Sequence, residues 1–197
     1  MLGEKFISNK NVALILGDNF FYGQNLTSKL IECTKLKNGA KVILHKVVKP
    51  ELFGVAKTSG SGKITLLKEK PKKYVSDLAI TGLYFFDKNV VKYAKQLKPS
   101  SRNELEITDL LKIYLKKKKL ISDILGRGGA WLDTGSIEDF YKTSAFVSAI
   151  ENRQGFKIAC LEEIAFNNKW IGRKEILEAI QFYGKCEYTN YLKKLIS

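Results

Sequence analysis

The stretch Val12-Ala13-Leu14-Ile15-Leu16-Gly17-Asp18-Asn19 decides the reading of this chain. An unbroken apolar run with β-branched Val12 and Ile15 predicts a fully buried strand. It ends on a glycine and a carboxylate. Because open α/β sheets place metals and phosphates at the carboxyl ends of their strands, Asp18 is the first candidate site residue.

Working outward, Leu26, Leu30, Ile31 and Cys33 recur at helical spacing, and Gly39 is placed to end that helix. Strands are predicted at 42–44, 54–56 and 64–67, the last running into Glu69-Lys70-Pro71, and a second strongly buried strand at 79–86. Ile107, Leu110, Leu111 and Tyr114 form one helix face. The lysines at 116–119 then complement the negative end of that helix dipole. A short strand at 120–125 leads to Gly126-Arg127-Gly128-Gly129-Ala130-Trp131-Leu132-Asp133, a long helix starts near Ser136, and residues 160–197 read as short helices. Alternating strands and helices argue for an α/β fold with a mixed, largely parallel sheet.

The chain has 197 residues, 45% of them hydrophobic, enough for a substantial core. Three widely spaced cysteines and one histidine give no zinc pattern; they predict reduced thiols in a cytoplasmic protein. No apolar run approaches the ~20 residues that span a bilayer. A net charge of +14 favours anionic partners. The excess is dispersed lysine, whereas specific DNA readers lean on arginine, so nucleic acid and membrane are not expected partners.

Gly60-Ser61-Gly62-Lys63 fails the phosphate-loop pattern at Lys57 and Ile64 and reads as a hairpin turn. Asp18 and Asp133 each end a hydrophobic stretch, and two carboxylates converging at a sheet mouth can hold one hard cation such as Mg²⁺. The competing reading of each is a structural cap. Glu69 and Lys70 pair a hydroxyl-binding carboxylate with a phosphate-binding ammonium; solvated surface charge is the alternative.

Together, LILGDNFFYG (14–23), FGVAK (53–57), KEKP (68–71), AITGLYFFD (79–87), LKPSSRNELEITDL (97–110), GRGGAWLDTGS (126–136) and ENRQGFKIACLEEIAF (151–166) resemble the glucose-1-phosphate thymidylyltransferases, a family of sugar nucleotidyltransferases. The resemblance implies a Rossmann-like nucleotidyltransferase domain over 1–155, carrying the sugar-phosphate and metal half, and a helical appendage over 156–197. It implies Mg²⁺-dependent transfer of dTMP from dTTP to glucose 1-phosphate in a homo-oligomer, a tetramer by resemblance. Asp18 and Asp133 would hold the metal, and Lys70 would neutralise the sugar phosphate. Gly54, Glu69, Tyr84 and Arg102 would surround the sugar, with Trp131 bracing the Asp133 loop. Tyr22, Gly23, Arg127, Glu163 and Ile164 match a second, regulatory nucleotide site. Phe53 stands where the family commonly has Tyr.

The family's glycine-rich G-x-G-T-R-L signature has no counterpart before the Val12 strand. The expectation is a chain lacking that nucleotide-binding segment, with an exposed sheet edge and dependence on a partner fragment. Three readings stand: a nucleotidyltransferase, a non-catalytic sugar-phosphate-binding or assembly fragment, and a basic nucleic-acid-binding module.

Overall fold

The computed structural model describes residues 3–197. In chain order the elements are α1 (Glu4–Ile7), β1 (Val12–Ile15), β2 (Asn19–Gly23), α2 (Leu26–Thr34), β3 (Ala40–Lys46), a 3₁₀ turn (Pro50–Leu52), β4 (Gly54–Thr58), β5 (Ile64–Glu69) and β6 (Leu78–Phe86). Then follow α3 (Val90–Ala94), α4 (Ile107–Lys116), β7 (Leu120–Ile124), β8 (Gly129–Asp133), α5 (Ile137–Gln154), α6 (Leu161–Asn167), α7 (Arg173–Tyr183) and α8 (Glu187–Leu195). They form two compact units, one through Ser136 and one over Ile137–Ser197. The sequence-read boundary at 155/156 falls at the end of α5.

In the first unit the main sheet has the order β5-β4-β6-β3-β7, with β1 also paired to β6. The mixed α/β class is as expected, but the sheet is mostly antiparallel: among the described residues only β3–β7 is parallel. The physical reason lies in the connections. A parallel neighbour needs a crossover of a dozen or more residues, whereas β4 and β5 are joined by a tight hairpin through Gly62 (φ 77°).

Strand β6 is the spine. Its residues alternate between two cores: Ile80, Tyr84 and Phe86 pack with Leu110, Leu111 and Tyr114 of α4, and Ala79, Leu83 and Phe85 with Cys33, Ile43, Leu125 and Trp131. Between Val42 and Leu44 the β3–β6 register shifts, and the buried Thr81 hydroxyl donates to the Ile43 carbonyl at 2.9 Å. The hydroxyl therefore gives the Ile43 carbonyl a partner at the bulge.

Two sequence expectations are corrected. β1 is not fully buried: Leu14 is 39% and Ile15 57% exposed. Among the described residues its only strand partner is β6, and one neighbour cannot cover both edge and faces. Gly39 does not end a helix, since α2 stops at Thr34. It sits instead at the start of β3 at φ 93°, where a side chain would run into the Lys119 backbone.

The second unit has its own small core of Cys160, Ile176, Leu192 and Ile196. Among the described residues no helix is long and apolar enough to cross a membrane.

Candidate active site

The short ladder β2–β8 puts Asn19 opposite Asp133 and Gly23 opposite Gly129. Just outside its first rung, the Thr134 N–H and hydroxyl both donate to the Asp18 carbonyl, at 2.7 and 2.8 Å, and the Gly135 N–H donates to Asp133 Oδ1 at 2.8 Å. The two carboxylates are thereby drawn to one place: a methyl group on Gly135 would lie 3.0 Å from Asp133 Oδ1 and 3.8 Å from Asp18 Oδ2. Gly135 keeps that space open. Among the described residues no cluster of three or more His, Cys, Asp or Glu forms a ready-made metal cage. A pair of hard oxygen donors facing an open side fits a cation that keeps waters and takes phosphate oxygens, not a closed all-protein site.

A second wall comes from the β4–β5 hairpin and α4. Gly54 and Glu69 are register partners, and a methyl on Gly54 would approach Glu69 Oε2 to 2.9 Å and Thr108 Oγ1 to 3.0 Å. The buried Thr108 hydroxyl donates to Glu69 Oε2, fixing the carboxylate. Lys70 follows at φ 36°, a left-handed conformation that costs a non-glycine residue about 1 kcal/mol or more. Its N–H is tied to the Phe53 carbonyl at 3.0 Å, so the strained turn is held from below.

Tyr84 of β6 joins the two walls. Burial, reinforced by the charges of Glu69 and Asp18, pushes its phenol well above the ordinary value, which places both carboxylates in its surroundings. Arg102 reaches Glu106 through Nε at 3.0 Å and Nη2 at 3.1 Å, and Glu104 at 2.5 Å. Glu106 is itself nearly buried. The Ser100 hydroxyl and then Arg102 hold its carboxyl below the usual range against the opposing effect of burial. Lys70, Glu69, Arg102 and Glu106 line a cleft of about 780 Å³ together with Lys68, Lys72, Lys73 and Lys112. That is a lysine-rich mouth suited to an anionic ligand.

Trp131 is buried with its ring centroid 5.1 Å from Phe53 and 6.2 Å from His45, and its indole N–H donates to Asn19 Oδ1 at 2.6 Å. The structure thus brings Asp18, Asp133, Tyr84, Glu69, Gly54, Lys70 and Trp131 into one neighbourhood, with Arg102 on its cleft side. Tyr22 and Gly23 lie at the opposite end of the β2–β8 ladder, next to the turn that carries Arg127, about 13 Å along the strands from Asp133. Glu163 and Ile164 sit on α6 in the second unit; Glu163 accepts from the Tyr191 hydroxyl at 2.8 Å. Sequence reasoning missed Asn19, Thr108 and Glu106. All three stood inside quoted motifs, but their partners are remote or hidden in a turn.

A left-handed lysine beside a fixed carboxylate lines a basic cleft, and two further carboxylates converge at the end of the β2–β8 ladder. The nucleotidyl transferase family profile matches residues 1–150, and the chain belongs to that family. It is 45% identical over its whole length to the glucose-1-phosphate thymidylyltransferase of Neisseria meningitidis serogroup A and 37% identical to that of Mycobacterium tuberculosis, spanning 68% of each. Among solved structures it resembles a glucose-1-phosphate thymidylyltransferase of Bacillus anthracis in complex with sucrose (41% identity, TM-score 0.65, 74% of this chain and 57% of that one). It also resembles a UDP-glucose pyrophosphorylase complexed with UDP-glucose (26% identity, TM-score 0.62, 73% and 58%).

Proposed function

We propose that this chain serves as a glucose-1-phosphate thymidylyltransferase, its described residues supplying the sugar-phosphate pocket and the metal-holding carboxylates. The observation that carries the reading is the convergence of Asp18 and Asp133 beside Gly135. Named relatives over the full length of the chain support the choice of substrates.

In the reaction an oxygen of glucose 1-phosphate attacks the α-phosphorus of dTTP. The new P–O bond forms as the bond to the β-phosphate oxygen breaks, and pyrophosphate leaves. No group of the protein becomes covalently attached, so the contribution of the chain is positioning and charge neutralisation. Glu69, fixed by Thr108, accepts from sugar hydroxyls, and the space at Gly54 lets the ring approach the backbone. Lys70 holds its ammonium against the sugar phosphate, lowering repulsion between two anions. Asp18 and Asp133 would hold Mg²⁺, which when bound would supply positive charge to offset that of the phosphates. Tyr84 and Trp131 keep the floor dry and rigid.

Tyr22, Gly23 and Arg127, grouped at one end of the β2–β8 ladder of the first unit, serve a regulatory nucleotide role, and Glu163 and Ile164 on α6 of the second unit are assigned the same role separately. A homo-oligomeric assembly and a cytoplasmic location complete the proposal. The test is release of pyrophosphate from dTTP and glucose 1-phosphate with Mg²⁺, measured with the chain alone and with a supplied fragment bearing the glycine-rich signature. Release that needs both substrates and disappears in Asp133→Asn is expected. No release under either condition, or an unimpaired Asp133→Asn variant, overturns the assignment.

A further inference from the structure

We propose that Asn19 is a positioning residue: its side-chain amide, locked in one orientation by Trp131 and Gly82, sets the Asp18 carboxylate for metal binding. The inference rests on the function proposed above and adds to it the device that orients one metal ligand.

Asn19 makes three side-chain hydrogen bonds. Oδ1 accepts from Trp131 Nε1 at 2.6 Å and from the Gly82 N–H at 3.0 Å, and Nδ2 donates to Asp18 Oδ1 at 2.8 Å. An indole N–H and a backbone N–H can only donate, so the amide cannot flip without placing its own NH₂ against two donors. Nδ2 is therefore committed to Asp18, which as a carboxylate can only accept. Oδ1 of Asp18 is engaged, and Oδ2 is the oxygen that approaches the space beside Gly135 and Asp133.

Gly82 is what makes room. It lies in the middle of buried β6 and directs both backbone groups to one side: its carbonyl accepts from the Leu16 N–H at 2.9 Å, and its N–H goes to Asn19. The Asn19 amide thus takes the next rung of the β1–β6 ladder where the backbone turns away at Gly17 and Asp18. A methyl on Gly82 would lie 2.5–2.7 Å from three atoms of the Asn19 carboxamide and from nothing nearer. A Gly82→Ala change, remote from both carboxylates in sequence, should expel the amide from its lock. Orienting partners of metal ligands typically contribute 10–100-fold in affinity.

The probe is Mn²⁺ alone, its uptake by the full chain followed by electron paramagnetic resonance, with the indole N–H resonances of the two tryptophans recorded in parallel. Asn19→Ala and Gly82→Ala should each raise the Mn²⁺ half-saturation about tenfold and displace the Trp131 indole signal. The double variant should be no weaker than Asn19→Ala and should recover any thermal stability lost in Gly82→Ala, because the clash is gone. A displaced indole signal with unchanged Mn²⁺ uptake overturns the inference, as does a double variant whose loss is the product of the singles. A wild-type chain that takes up no Mn²⁺ overturns the metal reading itself, and the inference with it.

Discussion

Strands β1 and β6 pair in one antiparallel ladder and carry the same kind of sequence, yet only β6 is buried. Phe86 is 2% exposed, whereas Ile15 is 57% exposed. The difference is in the neighbours. β6 has strand partners on both edges and a core on both faces; among the described residues β1 has one strand partner. An apolar run states that a strand needs cover. It does not state that the cover is present. The candidate site draws on both regions: Asp18 lies just past the exposed strand, and Gly82 and Tyr84 belong to the buried one.

The contrast has measurable consequences. The largest is at Phe86, which stacks at 6.0 Å on Tyr84 and packs at 5.7 Å on Tyr114. Phe86→Ala should lower the urea-unfolding free energy by about 3–5 kcal/mol. A cost near that of a surface change would mean that β6 is not the spine.

Next is Asp87, which closes the end of β6. Burial alone would raise its carboxyl, but hydrogen bonds from Gly39, Asn89 N–H, Asn89 Nδ2 and Tyr114 outweigh that and hold it below the usual range. Asp87→Asn should cost about 1.5–3 kcal/mol at neutral pH. Because the folded value lies below an unfolded value of about 3.9, this contribution is complete above about pH 4 and is lost as pH falls through the folded value. The gap between wild type and Asp87→Asn should therefore narrow on acidification; a gap that stays constant from pH 7 to pH 3 contradicts the account.

A smaller effect is expected at Gly54. The added methyl of Gly54→Ala must displace Glu69 or Thr108, so KM for glucose 1-phosphate should rise about tenfold, equivalent to about 1.4 kcal/mol, with kcat less affected. Equal loss in both constants would place the effect on the reacting groups instead. The smallest stability change is expected at Ile15. Ile15→Lys should alter unfolding by no more than about 0.5 kcal/mol while reducing concentration-dependent association seen by light scattering, since a charge on an exposed edge discourages strand pairing. A large loss of stability would show β1 to be covered after all.

What the sequence made legible follows the same division. The α4 face, the hairpin at Gly62 and the two carboxylates could be read because each depends on local spacing or on a strand end. The largely parallel sheet could not be, because β4, β5 and β6 follow one another without intervening helices and fold back antiparallel. Nor could the supports of the site: Asn19 finds Gly82 and Trp131, and Glu69 finds Thr108, only after distant elements pack. Residue chemistry announces a carboxylate. What orients it is set by tertiary contact.

In the proposed function Asp18 and Asp133 act as one clamp. Mn²⁺ uptake by Asp18→Asn, Asp133→Asn and the double variant tests it most directly. Either single change should remove as much binding as both together. Wild-type uptake by either single variant, or losses that simply multiply, would contradict it.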